Sequence, residues 1–144
     1  MHYSKTVLIN RSVAEVFAYM DDISREREWQ PNIRETYQDP PGPTAIGTKK
    51  TYVSEFMGKS VRNTYVTKVF EPNVHVRYET TKDSTVQGTA GFRWDAEGSG
   101  TKVTMTFEGK PKGVLRFVPE AMLAGLYQQE LEATLERLKQ ALEN

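Results

Sequence analysis

A chain of 144 residues in which nineteen Lys and Arg balance nineteen Asp and Glu suits one domain with a core of its own and disfavours a broad nucleic-acid-binding surface, which needs a local excess of base. The absence of cysteine excludes disulfides, thiol catalysis and thiolate metal sites, and two histidines, His2 and His75, are too few to suggest a zinc centre. The N-terminus lacks a signal-peptide pattern and no run reaches the roughly 18 apolar residues of a membrane span, so a cytoplasmic protein without a stable membrane anchor is expected.

Composition shifts along the chain. Twelve of the fifteen threonines lie between residues 44 and 106, and seven of the eight leucines lie after residue 114. β-branched residues favour strands and leucine favours helix, so strands are expected in the middle and a helix at the end. This segregation predicts an α+β fold rather than an alternating one, in a single domain over residues 1–144.

Residues 2–10 alternate, with Tyr3, Val7 and Ile9 on one face and Thr6 and Leu8 on the other, and read as a first strand. Ser12-Val13-Ala14-Glu15 is a capping box, followed by Val13, Val16, Phe17 and Met20 at helical spacing. Asp21 and Asp22 end that helix or cap a second short one, which runs to about Trp29 and stops at Pro31. Ile33–Tyr37 reads as a short strand, and Asp39-Pro40-Pro41-Gly42-Pro43 as a loop.

Long strands follow over Thr48–Met57 and Lys59–Phe70, separated by Gly58. After the turn Glu71-Pro72-Asn73, Val74, Val76 and Tyr78 alternate with His75, Arg77 and Glu79. Val86, Gly88, Ala90, Phe92 and Trp94 share a face on the next strand. After Glu97–Gly100, so do Thr101, Val103, Met105 and Phe107. Residues 109–113 read as a loop. A helix is expected over 119–143, with Leu131, Leu135, Leu138 and Leu142 as its apolar stripe, extended by Leu123, Ala124 and Tyr127. At 1.5 Å per residue it spans about 36 Å, long enough to cover the buried face of an antiparallel sheet.

In this order the chain resembles the START-related, or SRPBCC, superfamily: the polyketide cyclase/dehydrase and lipid-transport proteins, whose fold is best known from the birch-pollen allergen type. The resemblance rests on the strand followed by Ser12–Phe17, on Asp21-Asp22 with Trp29 downstream, and on Pro41-Gly42-Pro43 before Ile46-Gly47-Thr48. It rests further on Gly58, Val66–Pro72, Gly100–Val103 and the closing Leu135–Lys139. It implies a helix-grip fold, in which a curved antiparallel sheet of six to seven strands wraps the C-terminal helix and two short helices follow the first strand. It also implies a ligand cavity between sheet and helix.

On that geometry Tyr52, Ser54 and Phe56 face inward, with Val61, Asn63 and Tyr65 beside them. Val74, Val76, Tyr78, Phe92, Trp94, Val103, Met105 and Phe107 continue the face, and Leu123, Ala124, Tyr127 and Leu131 meet it from the helix. The ligand-binding set expected is Tyr52, Phe56, Tyr65, Val76, Tyr78, Phe92, Met105, Leu123 and Tyr127. The bland alternative is a filled core, since packed interiors are the rule. Against it stand the tyrosines, Asn63 and Ser54, whose polar tips need partners.

His75, Glu55, Arg62, Arg77 and Arg93 fall on the outward parity. No inward carboxylate or imidazole is expected, and no catalytic residue, metal site or cofactor is assigned. Trp29 either clamps the short helices to the core or borders a cavity mouth, and 39–43 is either a gate or a rigid connection. Lys110–Val118, basic and apolar, buttresses the long helix or touches a membrane surface.

The function expected is binding or transport of a small hydrophobic ligand, such as a lipid, polyketide or isoprenoid-like molecule. A polyketide cyclase or dehydratase is the first alternative, to be recognised by an inward ionisable residue with a shifted pKa. An interaction module with a vestigial cavity is the second. Oligomeric state is not readable from the sequence.

Overall fold

The computed structural model describes residues 2–30, 32–56, 58–111 and 116–144, with the side chains of Phe56 and Pro111 excepted. Strand β1 (His2–Ile9) leads into helix α1 (Val13–Asp21), a 3₁₀ turn (Ile23–Arg25) and helix α2 (Glu26–Trp29). Strands β2 (Ile33–Asp39), β3 (Lys49–Phe56), β4 (Lys59–Glu71), β5 (His75–Thr80), β6 (Val86–Glu97) and β7 (Gly100–Pro111) follow, and helix α3 (Glu120–Glu143) closes the chain. The strands form one antiparallel sheet in the order β1-β7-β6-β5-β4-β3-β2. This is the expected helix-grip arrangement.

Local chemistry sets the elements. The Ser12 hydroxyl caps the α1 N-terminus by accepting from the Glu15 amide at 3.2 Å, and it donates to the Glu15 carboxylate at 2.9 Å. Asp22 caps the 3₁₀ turn by accepting from Ser24 N at 3.0 Å. Strand β7 runs through Lys110 to Pro111, beyond the loop expected from residue 109. Its Gly109 lies opposite Gly88 of β6, where a Cβ on either glycine would strike the facing backbone. The glycine pair therefore lets the hairpin continue at a point of close approach. Residues 112–115 of the expected buttress segment lie outside the described residues.

One bulge matters for side-chain direction. Thr67 pairs with Tyr78, but Val69 pairs with Arg77, leaving Lys68 as the extra residue. Parity switches there, so Val61, Asn63, Tyr65 and Thr67 face one way and Phe70 then takes over that side, its ring centre 6.0 Å from that of Phe17. Val74 departs from expectation: it lies in the turn ahead of β5 and is exposed. The strand begins one residue later, at His75.

The interior has two regions. Around α1 and the C-terminal half of α3 it is solid, built from Ile9, Val16, Trp29, Val76, Trp94, Val103, Leu135 and Leu138 among others. The N-terminal half of α3 roofs a hollow instead.

Candidate functional site

The hollow has a volume of about 220 Å³ and is walled by the sheet, α2 and α3. Of the residues expected to bind a ligand, Tyr52, Tyr65, Tyr78, Phe92, Met105 and Tyr127 border it. Val76 and Leu123 are buried but do not border it, and the Phe56 side chain lies outside the described residues. Ser54, Asn63, Trp94, Phe107 and Leu131 also reach the hollow, whereas Val103 packs in the solid core.

The walls are largely aromatic because alternate positions on five neighbouring strands, β3 to β7, carry rings. Tyr65 lies edge-on between Tyr52 and Tyr78, with centroids 5.8 and 6.3 Å away. Tyr127 of α3 packs 5.6 Å from Tyr3 and 5.7 Å from Phe107, closing the opposite side. Such tilted contacts suit ring quadrupoles and hold the walls apart as a frame. Burial pushes the Tyr52, Tyr65 and Tyr78 phenols up, and Tyr127 to about 12. All four are neutral hydroxyls at physiological pH.

One end of the hollow is polar, and here the structure overturns the expectation that no carboxylate faces inward. Asp21, Glu26 and Glu130 border the cavity, beside Gln30 and Thr134. Glu26 is 3% exposed. Its carboxylate accepts from Gln30 Nε2 at 2.6 Å. Desolvation raises its pKa to about 7, outweighing the opposing pull of Gln30 and Lys50. Glu130 is raised too, again chiefly by desolvation, while Asn32 Nδ2 donates to it at 2.8 Å.

Lys50 is 1% exposed. Its ammonium donates to the Asp21 carbonyl at 3.1 Å and carboxylate at 3.3 Å and stands 5.7 Å from the Tyr78 ring centre. A buried ammonium with these partners is compensated.

Two signals pointed to this cluster. Glu26 lies three residues before Trp29, so a core-facing Trp29 puts Glu26 on the same helical face. Lys50 shares strand parity with Tyr52 and Ser54.

Trp29 is 1% exposed and edge-on to Phe92 at 6.3 Å, clamping α2 to the sheet. Its indole N–H is buried without a hydrogen-bond partner among the described residues. Pro31 lies outside them. His75, Arg62, Arg77 and Arg93 do not border the hollow. Pro41–Thr44 line a second, more open hollow with α1 residues Phe17, Ala18 and Asp21. Among the described residues no helix is long and apolar enough to cross a membrane.

The sequence matches the family model for polyketide cyclase/dehydrase and lipid transport over residues 1–143. No functionally curated protein matches it significantly. The fold is similar to that of a crystallised Thermus thermophilus protein, with a TM-score of 0.84 at 16% identity over 99% of this chain and 97% of the other. It is similar to a START superfamily protein from Mycobacterium smegmatis, with a TM-score of 0.81 at 18% identity over the same shares. Ara h 8.0201 superposes with a TM-score of 0.70 at 14% identity, over 100% of this chain and 99% of that one. The chain belongs to the polyketide cyclase/dehydrase and lipid-transport family.

Proposed function

We propose that this protein binds and carries a small hydrophobic molecule in the hollow between sheet and α3, with Tyr52, Tyr65, Tyr78, Phe92, Met105 and Tyr127 as the contact walls. The observation that carries this reading is the cavity itself: about 220 Å³ of space framed by tilted rings where a filled core is the ordinary outcome. Its size bounds the cargo. A void of about 150 Å³ accommodates benzene, and drug-sized ligands occupy pockets of about 300–1,000 Å³. One or two rings or a short branched chain fit within the hollow, and a longer chain would extend through its open side. Native mass spectrometry of the purified protein tests the reading. A retained small-molecule adduct, released on denaturation, is expected. A bare chain that also fails to take up any apolar fluorophore contradicts it.

A second reading is favoured by Glu26. A buried carboxyl that titrates near neutrality, facing neutral phenols across an apolar chamber, suits proton transfer. This is the feature expected of a cyclase or dehydratase. Under that reading Glu26→Gln abolishes turnover while an apolar probe still binds.

A further inference from the structure

Among the described residues, and phenols aside, every ionisable side chain bordering the cavity is acidic: Asp21, Glu26 and Glu130. The nearest cation, Lys50, does not border the hollow. It is held by the Asp21 carbonyl and carboxylate, and this pairing offsets the charge of Asp21. Among the described residues Glu26 has no ion pair of its own, and Lys50 acts on it only at longer range. The groups that act on it are Gln30 from its own helix, Asp21 from α1, Lys50 and Tyr52 from β3 and Tyr78 from β5, with Glu130 of α3 on the wall of the same cavity.

This arrangement discriminates between headgroups. A carboxylate ligand would be buried among carboxyls with no free cation to receive it, which is costly. A metal ion fits poorly, since among the described residues no three His, Asp or Glu side chains are gathered to hold one. An ammonium supplies the missing countercharge to Glu26. It also finds aromatic faces, which attract cations through their quadrupoles. Lys50, outside the hollow, already makes such a contact, its ammonium 5.7 Å from the Tyr78 ring centre.

We propose that the cavity selects a compact lipophilic amine, whose ammonium pairs with Glu26 and whose ring or short chain lies against the aromatic walls. The proposal rests on the hollow being a ligand site. When the ammonium arrives, Glu26 ionises and its proton leaves to solvent, so binding is coupled to pH.

The test compares three fluorescent probes of one skeleton, β-naphthylmethylamine, β-naphthylmethanol and β-naphthoate, titrated into the wild type and Glu26→Gln. At pH 8 the amine is expected to bind about tenfold tighter than the alcohol, and naphthoate weakest. Between about pH 6 and pH 8 amine affinity is expected to rise about tenfold as Glu26 becomes free to ionise, with the alcohol unchanged. Glu26→Gln is expected to level the amine with the alcohol and remove the pH dependence. Alcohol or naphthoate binding as tightly as amine at pH 8, or an amine preference that survives Glu26→Gln, overturns the proposal. The wild-type comparison decides even where the variant does not fold. If the alcohol binds without an amine preference, only the amine proposal falls. If no probe binds, the ligand-site reading falls with it.

Discussion

Gln30 donates a hydrogen bond to Glu26 across one turn of helix, with 2.6 Å between Nε2 and Oε2, in a site where Glu26 is 3% exposed. That bond favours the charged carboxylate, yet desolvation is the larger effect and lifts Glu26 from 4.5 to about 7. The balance leaves a buried carboxyl that titrates near neutrality.

A stability profile follows from that balance. The folded chain holds the Glu26 proton more tightly than the unfolded chain does. Its contribution is therefore complete below about pH 4.5 and is lost as pH rises through about 7. A tenfold change in proton affinity corresponds to about 1.4 kcal/mol, so ionising the buried Glu26 costs on the order of 3 kcal/mol. Glu26→Gln is expected to be more stable than wild type by about 1–3 kcal/mol at pH 8, and level with it near pH 4. Urea unfolding at both pH values checks this, and parallel profiles contradict it.

Lys50→Met removes the buried ammonium. The Asp21 carbonyl and carboxylate lose their donor, and Glu26 loses a charge that lowers its pKa. Asp21 retains some solvent contact, which limits the penalty to about 1–3 kcal/mol. Urea unfolding at neutral pH measures the loss. Carbon-detected NMR titration is expected to show Glu26 shifted further upward.

Leu135 packs at 3% exposure with Val16, Trp94 and Val103 in the solid region. Leu135→Ala is expected to cost about 2–5 kcal/mol, because the surrounding rings and strands cannot collapse into the gap. Its exposed neighbour on α3, Glu136, is expected to tolerate alanine within about 0.5 kcal/mol. Equal losses in thermal unfolding would show that this helix face does not seal the core.

Much of this architecture was legible from periodicity. Alternation grouped Tyr3, Val7 and Ile9 on one face of β1, which the structure buries, and the leucine stripe identified the face of α3 that packs inward. Which strand face turns inward came from the family resemblance, and alternation carried that choice along β3 to β7 except past the Lys68 bulge. The polar end was not read because charged residues are ordinarily solvated. Glu26 also belongs to a four-residue helix, too brief for a hydrophobic face to declare itself, and Asp21 is the last residue of α1, past its apolar stripe. Val74 was misplaced because the turn at Asn73 consumes one residue more than alternation suggests.

The claim that the hollow is a ligand site is tested most directly by filling it. Ala90 of β6 borders the cavity, and Ala90→Leu projects a branched side chain into the space a ligand would occupy. Calorimetric titration with β-naphthylmethanol, an uncharged probe, separates this claim from the choice of headgroup. Saturable single-site binding to the wild type is expected, weakened at least about tenfold in Ala90→Leu with circular dichroism unchanged. No saturable binding to the wild type, or equal binding by a folded Ala90→Leu, would contradict the account.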